Sequence, residues 1–237
     1  MLQQTQTERV LPKYLAFLAS LPGPSDLAEA SVAEVLGLWT GLGYNRRALA
    51  LRASAAEIVS RHGGLVPDDE EELLALPGVG PYTARAIQAF AFDRPVTLIE
   101  TNVRSAFLHR FFPGEVGVLD ASIEPLVAAA LDKADPRNWY YALMDFGVMI
   151  KRLHGNPNRR SAHYARQSPF ADSNRRLRGQ ILKALGAGGL HPDELAARIP
   201  FARERLEAAL GELVAEGFLE YRGTGAELGL RGARPAT

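Results

Sequence analysis

The chain has 237 residues, no cysteine, and 27 basic against 27 acidic side chains. Disulfides, thiolate metal sites and cysteine nucleophiles are therefore excluded, and a zero net charge leaves any polyanion-binding surface to local clustering. The apolar and charged fractions, 47% and 23%, are those of a globular protein. No apolar run approaches the ~20 residues of a membrane helix, and Met1-Leu2-Gln3-Gln4 has neither the basic nor the apolar region of a signal peptide, so a cytoplasmic chain without a membrane partner is expected.

In chain order, Met1 to Leu21 reads as a helix already in progress, with Leu2, Val10, Leu11, Tyr14, Leu15 and Leu18 on an apolar face and Pro12 inside it. Leu21-Pro22-Gly23-Pro24 closes it, and Ser25-Asp26 starts the next piece. Ser31 to Leu42 adds a helix ending at Gly41-Leu42-Gly43. Arg46 to His62 is amphipathic, with Leu49, Ala53, Ala56 and Val59 inward, and Gly63-Gly64 stops it. Asp68 to Leu76 carries acids early and leucines late, as a helix N-terminus should. Pro77 and Gly78 end that segment, Gly78 and Gly80 are free to take positive φ, and Pro81 suits the first turn of a further helix. On that helix Thr83, Ile87, Phe90 and Ala91 share a face. Helices are also predicted over Thr101–Phe112, Asp120–Leu131 and Trp139–Leu153, so the first 165 residues or so read as all-α.

The N–H groups of a glycine hairpin opening a helix form an anion site; the plainer reading is an ordinary Gly-Pro turn. From Lys151 to Arg178 the composition shifts. Lys151, Arg152, Arg159, Arg160, Arg166, Arg175, Arg176 and Arg178 face a single acid, Asp172. This is either a solvated basic loop or a phosphate-contacting surface. A second module follows. Leu177, Ile181, Leu182 and Leu185 define its first helix, Asp193–Ile199 a short second, and Arg203–Glu216 a third with Leu206, Ala209, Leu210 and Leu213 buried. Phe218–Tyr221 and Glu227–Leu230 would be wing strands around Gly223-Thr224-Gly225. Arg203 and Arg205 are balanced by Glu204, Glu207 and Glu212, so packing or protein contact is favoured over groove reading for the third helix. The expected domains are 1–170 and 171–237.

Residues 76–84, Leu-Pro-Gly-Val-Gly-Pro-Tyr-Thr-Ala, followed by Val96-Thr97-Leu98-Ile99-Glu100-Thr101-Asn102-Val103, resemble the helix-hairpin-helix signature of the DNA glycosylases related to endonuclease III. Met1–Gln6 and Leu38–Tyr44 resemble two segments of the adenine-specific, MutY-like branch, and Tyr140–Gly147 its late helix. The resemblance runs from residue 1 to about 152. It implies a mainly α fold, here with a winged-helix-like C-terminal module. It also implies a nucleoid-associated, monomeric bacterial enzyme of base-excision repair, removing adenine mispaired with guanine or 8-oxoguanine from double-stranded DNA. A thymine- or uracil-mismatch glycosylase, or a catalytically silent DNA-binding or regulatory protein, are the alternatives.

By the same resemblance, Glu100 takes the place of the family's catalytic aspartate, to stabilise positive charge developing on the sugar. Asn102 would orient the sugar or carboxylate. Tyr82 stands where bifunctional relatives carry a Schiff-base lysine, and a phenol cannot form that adduct, so base removal without strand cleavage is expected. Gln3, Gln4 and Tyr44 match positions that contact or wedge into DNA beside the orphaned base. Gly78, Val79, Gly80, Tyr82 and Thr83 would hold the DNA backbone, and the basic segment, where it is a phosphate-contacting surface, would add Arg159 and Arg160. Commoner members bind an iron–sulfur cluster through four cysteines after the late helix; this chain has none, and no cofactor or metal is expected. The family's general acid is a glutamate just upstream of the segment that opens here at Met1, so an N-terminally shortened chain is expected.

Overall fold

A computed structural model describes residues 1–3, 5–166, 172–223 and 227–233. Its helices are α1 (Thr7–Ser20), α2 (Pro24–Glu29), α3 (Val32–Trp39), α4 (Arg46–His62), α5 (Glu70–Leu74), α6 (Pro81–Phe90), α7 (Thr101–Phe111), α8 (Asp120–Ala130), α9 (Pro136–His154), α10 (Asn174–Leu185), α11 (Pro192–Arg198) and α12 (Arg203–Ala215). Strands β1 (Leu219–Arg222) and β2 (Glu227–Leu230) pair antiparallel, Leu219 opposite Leu230 and Arg222 opposite Glu227. Among the described residues no helix is long and apolar enough to cross a membrane.

The chain forms two compact units, one from residues 1–66 and 168–237 and the other from 67–167. This grouping cuts the chain differently from the expected 1–170 and 171–237. The reason is packing. Val10, Phe17, Leu36 and Trp39 of the first helices lie in one hydrophobic core with Leu177, Ile181, Leu206, Leu213 and Phe218 of the C-terminal module. The boundary expected at 170 itself falls outside the described residues. Within the module, Leu190 exchanges two backbone hydrogen bonds with Leu228, each 2.9 Å, adding a short third strand segment ahead of α11. Three helices and a two-stranded wing joined this way are the winged-helix-like outline predicted. The buried faces of α10 and α12 are those expected. The turn residues Thr224 and Gly225 lie outside the described residues.

The first helix differs from expectation. It begins at Thr7, not Met1. The residues before it are drawn into tertiary hydrogen bonds: Thr5 Oγ1 donates to the Leu42 carbonyl at 3.2 Å, and Arg47 donates to the Gln3 carbonyl at 2.8 Å. Its buried residues are Val10 and Phe17, whereas Leu11, Tyr14, Leu15 and Leu18 are exposed. Phe17 meets the Trp39 ring edge-on with centroids 6.4 Å apart, and that partner decides which side of the helix is inside. In α4 the inward residues are Ala48, Ser54, Ala55 and Ile58, a face turned by one residue from the one expected.

The second unit has its own core, built from Leu98, Val103, Phe107, Leu108, Ile123, Val127 and Tyr140. Here α6 buries Ala84, Gln88 and Ala89, again one residue round from the predicted face. Gln88 is tolerated inside because its amide donates to the Asp68 carbonyl at 3.0 Å. Asp69 caps α5 by accepting from the N–H groups of Glu71 and Glu72.

Candidate active site and DNA interface

The segment leading to Glu100 is neither helix nor strand, and α9 supports it along one stripe. Tyr140 is fully buried; its hydroxyl donates to the Val96 carbonyl at 2.8 Å and accepts from the Leu98 N–H at 2.7 Å. Two turns later, Gly147 lies against the backbone of Asn102. A Cβ there would stand 2.6–2.7 Å from the Asn102 carbonyl carbon and Cα, closer than atoms pack. One turn on, Lys151 Nζ donates to Asn102 Oδ1 at 2.7 Å. Positions 140, 147 and 151 recur at the helical period, so one face of α9 holds the approach to α7 and its first turn.

Glu100 is the N-cap of α7. Its Oε1 accepts from the backbone N–H groups of Asn102 and Val103, the latter at 2.6 Å. Its Oε2 accepts from Thr101 Oγ1 at 3.1 Å and from Asn102 Nδ2 at 3.2 Å. The extra methylene relative to aspartate is thus taken up by folding the carboxylate back over the helix N-terminus, where N–H groups and the helix dipole favour a negative charge. Oε1 is committed to the backbone. Oε2 has only side-chain donors, which can yield to an incoming group. Burial, and next the Glu100 charge, hold the Tyr82 phenol above its ordinary value, so a neutral hydroxyl lies within electrostatic reach of the carboxylate. Burial is also the main influence on Lys151, lowering it against the opposing pull of Glu100.

The hairpin that precedes this site turns at Gly78, with φ +74. Gly80 does not take positive φ; it is the extended N-cap of α6 at φ −97, and a Cβ there would meet nothing within 4 Å. Pro81 at the first helical position has no N–H to satisfy, and the Val79 N–H donates back to the Leu76 carbonyl at 3.1 Å. Tyr82 is exposed and Thr83 half-buried, so the tip presents backbone and an aromatic ring to solvent.

In the other unit, Tyr44 closes a loop whose Gly41 and Gly43 have φ +93 and +70. Tyr44 itself has φ +48, costly for a side chain with a Cβ. Its hydroxyl accepts from Arg175 at 2.9 Å, and the guanidinium carbons of Arg47 and Arg175 each lie 5.6 Å from the ring centroid. Gln3 lies in the same unit, its carbonyl tied to Arg47. Gln4 is outside the described residues.

The basic segment is divided in its use. Arg160 donates to the carbonyls of Phe112 and of Leu108, the latter at 2.9 Å, satisfying the open end of α7. Asn158, 7% exposed, donates to the Thr101 carbonyl and Ser105 Oγ at 2.9 and 2.7 Å. Val118 forms a short parallel bridge with Ser161, its N–H donating to the Arg160 carbonyl at 3.1 Å and its carbonyl accepting from the Ala162 N–H at 2.9 Å. Arg159, by contrast, is exposed on the 3₁₀ turn Pro157–Arg160. In the other unit, Arg178 pairs with Glu212 and Glu216. A cavity of about 280 Å³ opens beside the α7 start, lined in part by Thr101, Arg104, Lys151, Asn158, His163 and Tyr164. An iron–sulfur cluster of the family's kind takes thiolates. The residues after α9 do not fit one, since the chain has no cysteine, and hydrogen bonds from Asn158 and Arg160 fasten that segment instead. The roles of Tyr140, Gly147 and Lys151 were not foreseen from sequence; the 7- and 4-residue spacing was the available signal.

Residues 61–90 match the helix-hairpin-helix motif. The chain is 49% identical over 104 residues to an adenine DNA glycosylase of Mycobacterium tuberculosis, covering 44% of this chain and 34% of that protein. It is 39% identical over 152 residues to an adenine DNA glycosylase of Mycolicibacterium smegmatis, covering 63% of this chain and 52% of that one. It thus spans about a third to a half of the length of these relatives. Among solved structures, a thermostable thymine-DNA glycosylase superposes with a TM-score of 0.57 at 24% identity, over 66% of this chain and 73% of that one, and so shares the fold. The chain thus carries a helix-hairpin-helix motif and shares its fold with that glycosylase. In sequence, the likeness is to proteins named adenine DNA glycosylase.

Proposed function

We propose that the chain is a monofunctional DNA glycosylase that removes adenine mispaired with guanine or 8-oxoguanine. The observation that carries this reading is Glu100, held with Asn102 at the start of α7, in the same unit as the hairpin. Extruding a base costs a few kcal/mol, which contacts to the flanking backbone offset. The hairpin N–H groups and Arg159 suit that task, and the exposed Tyr44 ring suits stacking beside the orphaned base. As the N-glycosidic bond breaks, its electron pair leaves with the adenine, which takes up a proton, and positive charge develops on the sugar until a water adds there and releases a proton. Oε2 of Glu100 then exchanges its Thr101 donor for a Coulombic contact with that cation, while Asn102 Nδ2 stays on the carboxylate and Oε1 stays anchored to the helix. The neutral Tyr82 hydroxyl offers no amine for a Schiff base, so strand cleavage does not follow.

The test is excision from duplexes containing A:8-oxoG, A:G, T:G and U:G, each with and without alkali and with borohydride. Adenine release, nicking only after alkali and no trapped protein–DNA adduct support the reading. Thymine or uracil release would redirect the substrate, and efficient trapping would overturn the monofunctional assignment. A second reading, a DNA-binding protein without excision activity, is favoured by Glu100 serving as a helix cap through Oε1; binding without release on every duplex would establish it.

A further inference from the structure

The amide of Asn102 has two unlike ends, and a half-turn about its last bond exchanges them. Facing Glu100 with its nitrogen, it donates to the carboxylate. Facing Glu100 with its oxygen, it sets acceptor against acceptor. The choice between these orientations is made on the far side of the amide, where Lys151 Nζ stands 2.7 Å from Oδ1. An ammonium has donors only, so it accepts no neighbour but the oxygen end. Resting on the functional reading above, we propose that Lys151 is a positioning residue of the candidate active site, orienting the Asn102 amide so that its nitrogen stays on the Glu100 carboxylate.

Three further observations support this. Gly147, one turn before Lys151 on α9, lets the helix approach until its backbone meets that of Asn102, so the lysine reaches the amide. The nearby Arg104 guanidinium is engaged by Asp120 through bonds of 2.7 and 2.6 Å and does not compete for the amide. Among the described residues, no carboxylate lies within ion-pair distance of Lys151, so the ammonium is not diverted from Asn102.

The test compares wild type, Lys151→Met and Lys151→Arg in two assays. One is single-turnover excision from A:8-oxoG duplex. The other is equilibrium binding to duplexes carrying a neutral tetrahydrofuran or a cationic pyrrolidine abasic analogue. Lys151→Met should lose about tenfold in excision and in preference for the cationic analogue, the effect of one charge-assisted hydrogen bond. Its affinity for the tetrahydrofuran duplex and its melting temperature should stay near wild type, and Lys151→Arg should recover most of the loss. In an Asn102→Ala background, Lys151→Met should cost nothing further, because the lysine acts through that amide. An equal loss of affinity for every duplex would make Lys151 a phosphate contact and overturn the proposal. Additive effects with Asn102→Ala, or an unchanged Lys151→Met, would do the same. A wild-type chain that neither excises nor prefers the cation removes the glycosylase reading, and this inference with it.

Discussion

In the hairpin, Gly78 turns the chain at φ +74 and Gly80 stands in open space. In the platform formed by α9 and the start of α7, Gly147 has the Asn102 backbone where a Cβ would be. One region spends its glycines on shape at the surface; the other spends one on contact inside. The hairpin is assembled from residues adjacent in sequence and ends in exposed groups, as suits a surface that meets a partner. The platform joins residues far apart, Asn102 with Lys151 and Leu98 with Tyr140, and its product is a carboxylate fixed in place. Under the proposed function, recognition falls to the hairpin and chemistry to the platform within one unit, and substitutions in the two regions should separate.

The largest effect is expected at Glu100. Glu100→Gln should lower single-turnover excision by on the order of 10²–10³-fold, the scale of losing a principal electrostatic stabiliser, with DNA affinity kept. Retained excision would break the assignment of chemistry to the platform. Next is the same substitution made in both regions. Gly147→Ala should cost about 1–3 kcal/mol in urea unfolding, because α7 and α9 must move apart. Gly80→Ala should stay within about 0.5 kcal/mol and show its effect in DNA affinity. Reversal of that order would erase the distinction. Neighbouring arginines sharpen it further. Arg160→Ala should cost about 1–2 kcal/mol by leaving the last α7 carbonyls unpaired, while Arg159→Ala should leave stability alone and reduce the slope of log affinity against log salt by about 1.

The smallest effect is a pH dependence within the platform. The hydrogen bond from Arg104 is the main cause that holds the Asp120 carboxyl below its ordinary value of 3.8. A depressed folded-state value means the pair stabilises the protein fully above 3.8 and loses that contribution as the pH falls through the folded value. Arg104→Met should flatten stability against pH in that acid range and leave it unchanged in slope near neutrality.

Much of this was legible in the sequence where it depended on neighbours. The Pro77-Gly78 stop, the Pro81 start and the bounds of α4 and α7 follow from local chemistry. Glu100 and Asn102 are candidates through a resemblance whose motif is contiguous. Helix faces were less legible. Leu11, Tyr14, Leu15 and Leu18 form as apolar a stripe as Val10 and Phe17, and only the position of Trp39 decides between them. The basic segment was misleading for a related reason. Arg159 and Arg160 are alike and adjacent, yet one is exposed and the other closes the end of α7, a difference set by carbonyls some fifty residues earlier. Lys151 read as one charge among many, because Asn102 is remote in sequence and only the packing of α9 on α7 brings them together.

Tyr44 carries a further consequence. Its backbone holds φ +48, where glycine or asparagine would sit at less cost. Left to neutral drift, the position would shed its ring, since replacement by either residue relaxes the loop. A lineage that keeps an aromatic side chain there is therefore under selection for what the ring does, and one that has exchanged it for glycine has given up that use of the loop. The identity of this one residue across descendants of the chain thus reports whether the loop is still employed.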